Sequence, residues 1–102
     1  MSDTVYDFQW DAVKAASNAV KHGVTFEQAA TGFLDPLALT VFDAAHNQGE
    51  ERWWSLGYDA NGMLLLVAHT FQSTGPASAS VRLISARPAT RRERIFYENE
   101  PR

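Results

Sequence analysis

Five arginines and one glutamate fall within the fourteen residues from Val81 to Arg94. A guanidinium is planar and permanently charged, and its fork can grip two oxygens at once, so such a cluster suits phosphate. It does not deprotonate at working pH, so its part in a reaction is to stabilise charge. Arg82 and Arg87 are the first candidates for that part and Arg52 is a third. His69 is the candidate acid or base, because an imidazole titrates near neutrality. Packing of His69 against Trp54 is the competing account, as is a solvated basic helix with one structural ion pair for the arginines. Lys21, Arg91, Arg92 and Tyr97 could extend contacts along a nucleic acid, the cations to phosphates and the ring by stacking. Surface solvation and core packing are their alternatives. His22, just before Gly23, is explained by helix capping and dipole interaction alone.

These side chains need elements to hold them. Val5 to Trp10 alternates as a short first strand. Asp11 caps a helix over Ala12 to Lys21, with Val13, Ala16 and Val20 on one face, and Gly23 ends it. Thr25 with Gln28 reads as a capping box, followed by the core-facing stripe Phe26, Ala29, Ala30 and Phe33, which Asp35-Pro36 breaks. Leu37 to Phe42 fits a short edge strand and Asp43 to Glu51 a polar loop. Arg52 to Asp59 and Met63 to Phe71 are strands around Asn61-Gly62, a hairpin turn signal. A two-residue turn there sets Leu56 opposite Val67, Trp54 opposite His69 and Arg52 opposite Phe71. Gln72 to Ser80, with Gly75-Pro76, reads as a mobile hairpin tip. A central strand from Val81 stops at Pro88, and the capping box Thr90–Glu93 opens a last helix from Arg91 to Glu98. Arg82 and Arg87 differ by an odd number of positions, so in one regular strand they face opposite ways. Both reach one site if Arg87 lies past the strand end.

The totals set outer bounds. At 102 residues the chain is one domain, with hydrophobic content of 45% and no cysteine, which excludes disulfides and thiolate chemistry. Its longest apolar run, Met63 to Ala68, is too short to span a bilayer, and Met1-Ser2-Asp3-Thr4 leads into no apolar secretion signal, so a cytoplasmic location is expected. The net charge of −3 is unevenly spread. Residues 1–66 carry three basic side chains against nine acidic ones, and residues 67–102 carry six arginines against three glutamates. Such a molecule can turn one basic face to RNA and another face to something else. Asp43, His46, Glu50 and Glu51 gather possible metal ligands in one loop, but no fixed ligand motif joins them. Neither a metal nor another cofactor is expected.

Several segments together resemble the BrnT family, the toxin half of a prokaryotic type II toxin–antitoxin pair. They are Phe8-Gln9-Trp10-Asp11, Lys21-His22-Gly23-Val24-Thr25-Phe26-Glu27-Gln28-Ala29, Asp35-Pro36-Leu37-Ala38-Leu39, and Glu50-Glu51-Arg52. Gly57, His69-Thr70, the run from Arg82 to Ala89, Glu93-Arg94 and Tyr97 complete the series. The resemblance implies an α+β, RelE-like fold and ribonuclease activity. It also implies neutralisation by a small ribbon-helix-helix antitoxin (BrnA-like), with operator DNA bound only through the complex. Two functions follow as expectations. One is a metal-independent endoribonuclease that cleaves mRNA and inhibits translation. The other is a non-catalytic interaction module whose basic C-terminal segment docks a protein partner. Trp53 and Trp54, adjacent on a strand, point to opposite faces, so one indole is expected to meet the antitoxin or a second copy, giving a homodimer or a heterotetramer with antitoxin.

Overall fold

The computed structural model describes residues 4–46 and 51–101. Among these, three α-helices accompany a six-stranded sheet, in the order β1 (Val5–Gln9), α1 (Ala12–His22), α2 (Phe26–Thr31), β2 (Leu39–Phe42), β3 (Arg52–Tyr58), β4 (Leu64–Thr70), β5 (Gln72–Gly75), β6 (Ser78–Pro88) and α3 (Arg91–Asn99). The path across the sheet is β1-β6-β4-β3-β2, with β5 also paired to β6. This is the α+β arrangement expected. Residues Gln72 to Ser80 do form a hairpin, and most of it is paired: β5 pairs with Ser78–Ser80, prolonging the β4 side of β6, with Pro76 and Ala77 at the turn. Residues 1–3 and Glu50 lie outside the described residues. No described helix is long and apolar enough to cross a membrane.

Helix ends follow their capping residues. Asp11 Oδ1 accepts from Val13 N at 2.8 Å, and Gly23, at φ +69°, closes α1. Thr25 Oγ1 accepts from Gln28 N at 3.0 Å, but the Gln28 amide does not return to Thr25; it donates to Asp59 Oδ2 at 2.7 Å. The box at α3 is complete, with Glu93 N donating to Thr90 Oγ1 and Thr90 N donating to Glu93 Oε1.

α1 and α2 cover one face of the sheet. Phe26, Ala29, Val24, Leu65, Val67, Val81, Leu83 and Ala86 form the main core there, with Phe8, Trp10 and Phe33 against it. Gly57 permits this close approach, since a Cβ on it would lie 2.8 Å from the Gly32 carbonyl oxygen. The α1 face named from the apolar pattern is wrong. Val13 and Val20 are 77% and 89% exposed, whereas Asn18 is buried. The reason lies in the sheet edge. β1 pairs with β6 only as far as Arg82, which leaves the backbone of Ala86 without a strand on that side. Asn18 supplies the missing bonds: Nδ2 donates to Ala86 O at 2.8 Å and Oδ1 accepts from Ala86 N at 3.1 Å. A side-chain amide thus stands in for a neighbouring strand, and buried backbone groups need such a partner. Small Ala15 beside it lets the helix lie close to the sheet.

Among the described residues, the opposite face is covered by α3 at one end. There Tyr97 of α3 packs with Leu56 and Leu64, flanked by Leu39, Tyr58, Leu66 and Ala89.

Candidate functional site

Register decides which candidate side chains can meet. β3 and β4 pair with Arg52 opposite Thr70, Trp53 opposite His69 and Ser55 opposite Val67, one position away from the two-residue-turn expectation. Asp59 causes the shift. Its carboxylate accepts from Asn61 N and Met63 N, and its backbone accepts from Gly62 N and donates to Met63 O. The loop is therefore three residues long, with Gly62 at φ +82° as its left-handed last residue. Burial pushes the Asp59 carboxyl up, but these donors and Gln28 outweigh it and hold it below the ordinary carboxylate range.

A one-residue slip moves a side chain to the other face. His69 therefore lies with Trp53, Ser55 and Val67 on the helix-covered face, and Arg52 lies with Thr70 on the open one. His69 is 1% exposed and meets Phe33 edge-on at 4.9 Å. Its Nδ1 faces the Thr70 carbonyl oxygen at 2.9 Å, which can only accept, so Nδ1 carries the proton. Nε2, 2.8 Å from Ser55 Oγ, then accepts from that hydroxyl, which in turn accepts from Thr40 Oγ1 at 2.8 Å. Burial pushes the imidazole below its ordinary pKa, and the Thr70 bond offsets this only in part. His69 is a neutral, fully engaged core residue, and the structure does not bring it to the arginines. The expected packing partner also changes, from Trp54 to Trp53 and Phe33.

Arg82 and Arg87 do share a face, though not because Arg87 leaves the strand. β6 runs through to Pro88 and carries a bulge. Ala68 pairs with Ser85 and His69 with Leu83, so Ile84 is the extra residue. One inserted position converts the odd spacing into a common side. Arg87 stands opposite Leu66, and Arg82 precedes Leu83, which pairs with His69, so that its backbone N–H meets Thr70 Oγ1 at 3.3 Å. Arg52, Arg82 and Arg87 thus line the face that α1 and α2 leave open, together with Trp54 opposite Ala68.

The three are not equivalent. Arg87 makes a bidentate pair with Glu93 of α3, both bonds 2.8 Å. That bond, ahead of the opposing desolvation, raises the pKa of Arg87 and holds Glu93 below its ordinary value. Tyr97 is 6% exposed, and its hydroxyl donates to Asp35 Oδ2 at 2.6 Å, so it joins α3 to the core and offers no ring for stacking. Arg91 and Arg92 are exposed on the first turn of α3, and Lys21 is exposed on α1, away from that turn. Neither tryptophan is fully exposed: Trp53 meets Phe42 edge-on at 5.0 Å, while Trp54 belongs to the arginine face. Among the described residues no group of three or more histidines or carboxylates gathers to hold a metal. The bulge is the feature that sequence reasoning missed, and only the incompatible parity of Arg82 and Arg87 hinted at it.

The sequence profile of the family described as "Ribonuclease toxin, BrnT, of type II toxin-antitoxin system" matches residues 10–93. The chain belongs to the BrnT family. The crystal structure of the Brucella abortus ribonuclease toxin BrnT matches with a TM-score of 0.58, covering 86% of this chain and 100% of that one, at 22% sequence identity. At that identity the likeness is one of fold. No curated protein sequence matches the chain significantly. Membership in a type II toxin–antitoxin family implies an antitoxin partner for this BrnT chain.

Proposed function

We propose that this BrnT chain is a metal-independent endoribonuclease of RelE-like type, which cleaves mRNA on the open face of its sheet and so inhibits translation in the cytoplasm. The observation that carries the reading is the bulge, which turns Arg82 to the side occupied by Arg52 and Arg87. Attack of a 2′-hydroxyl on the adjacent phosphorus concentrates negative charge on the non-bridging oxygens. Preorganised guanidinium groups stabilise that charge without reorganising at the moment of reaction. Trp54 beside them supplies an aromatic surface against which an unpaired base can stack. We further propose that a small ribbon-helix-helix antitoxin (BrnA-like) covers this face, in a heterotetramer or with a toxin homodimer, and alone carries the operator contacts.

The test is cleavage of a synthetic RNA by the purified protein in the presence of EDTA. Wild type should yield 2′,3′-cyclic phosphate ends, and Arg82→Ala should lose roughly 10²–10³-fold in rate, as for removal of one preorganised donor. Arg82→Lys should recover only part, because an ammonium lacks the fork. Full growth inhibition by a well-folded Arg82→Ala protein would sink the role. Arg87, committed to Glu93, favours the second reading, in which the basic segment docks a protein. Intact RNA together with tight antitoxin binding would select that reading.

A further inference from the structure

The open edge of β6 carries a second cationic feature. A cleft of about 200 Å³ lies between α1 and the bulge, lined by Lys14, Ser17, Lys21, His22, Ile84 and Ser85. Lys14 and Lys21 are the only two lysines of the chain, and no carboxylate occurs between Asp11 and Glu27. In a chain of net charge −3, this is a local excess of positive charge. Their spacing of seven sets both on one side of α1, two turns apart. Dipole complementation explains Lys21 and His22 in the last turn but not Lys14 near the start of the helix. Nor does it explain why the sheet meets them with the two residues of its bulge.

Those bulge residues lie on β6 between Arg82 and Arg87. At about 3.3 Å per strand residue, Ser85 is roughly 10 Å along β6 from Arg82. The cleft therefore continues the arginine face around the sheet edge. A peptide strand is poorly suited to this place, because Asn18 already occupies the N–H and carbonyl of Ala86 that an added strand would need. Point charges, an imidazole and two small hydroxyls instead match the non-bridging oxygens of a phosphodiester.

We propose that the α1–β6 cleft is a second phosphate subsite, which holds the RNA backbone beyond the phosphate attacked on the arginine face. Lys14 and Lys21 neutralise it, and His22, Ser17 and Ser85 donate to its oxygens. The proposal rests on the ribonuclease reading for its ligand. RNA crosses the sheet edge at the bulge, so one irregularity both aligns Arg82 with Arg87 and opens the neighbouring subsite.

Binding of a labelled, fully 2′-O-methylated oligonucleotide, which cannot be cleaved through a 2′-hydroxyl, tests the subsite apart from chemistry. Its affinity for the full chain is measured across a salt series for wild type, Lys14→Ala/Lys21→Ala, Ser85→Glu and Arg82→Ala. The double variant should bind more weakly whatever the sequence, and its log–log salt slope should fall by about 0.7–1 for each phosphate it no longer neutralises. Ser85→Glu should weaken binding in the same way while its melting temperature stays near wild type. On cleavable RNA both should raise KM far more than they lower kcat. Wild-type affinity and slope in both variants would overturn the subsite, as would a double variant that loses antitoxin binding alone. Full activity in Arg82→Ala would instead overturn the active-face reading, so the two fail separately.

Discussion

The two faces of the sheet are built from the same strands but carry different polar groups. On the helix-covered face, hydroxyls and the imidazole are paired inward: His69 with Ser55 and Thr70, Ser55 with Thr40. On the other, Arg52, Arg82, Arg87 and an indole line a surface that, among the described residues, α3 covers at one end, where Arg87 pairs with Glu93. The side chain best able to move a proton lies behind the sheet, and those best able to stabilise charge lie in front. A titratable residue near a basic cluster in sequence is therefore no guide to which side of a pleat it occupies, since one residue of register separates the two outcomes.

This contrast can be broken by experiment. Arg82→Ala should show the largest effect, the loss of cleavage given above with little change in melting temperature, while antitoxin still binds. His69→Ala should do the reverse. It removes a buried ring and the acceptor of the buried Ser55 hydroxyl, so denaturant unfolding should show a loss of about 2–4 kcal/mol. Cleavage per folded molecule should stay near wild type. A stable His69 variant that folds but no longer cleaves RNA would erase the distinction between the faces.

Gly57→Ala probes the closed face through shape alone. The new methyl would press on the Gly32 carbonyl at 2.8 Å and on Ala38 Cβ at 3.2 Å, so a loss of about 1–3 kcal/mol is expected, as for other overpacked sites. The smallest effect is on pH dependence. The unfolded chain takes up a proton on His69 near pH 6.5, whereas the folded chain, its imidazole held lower, does not. Stability should thus decline as pH falls through about 6.5, by roughly 1.4 kcal/mol per pH unit at most. Thermal melts of wild type and His69→Gln between pH 7.5 and 5.5 check this. Equal acid sensitivity in the two would show that His69 is not held neutral.

Local chemistry was legible in the sequence wherever one or two neighbouring residues decide the outcome. Asp11, Thr25 and the Thr90–Glu93 pair start their helices as read, and Phe26, Ala29 and Phe33 point inward. Two of the failures share a cause: a polar side chain replacing a backbone partner. Asp59 took the turn's free N–H groups and lengthened the Asn61-Gly62 loop by one residue, which moved His69 away from Trp54. Asn18 took the edge of β6 and turned α1 by its polar side, leaving Val13 and Val20 outside. Apolar periodicity carries no trace of either. The arginines of the candidate site were legible as a set, but their common face was not, because it depends on Ile84 occupying no paired position.

β6, the last of the described strands, lies between β1 and β4 in the sheet. Val5 cannot find its partner until Ser78 has been made, nor Gln9 until Arg82 has. On a ribosome, then, the chain must emerge through β6 before the first strand has its partner. The strand that completes the sheet is also the one that brings Arg82 and Arg87. Pairings this distant in the chain are slow to form. A copy that stops short of β6 therefore lacks both the completed sheet and two of the three candidate arginines, so that surface exists only once β6 has been made.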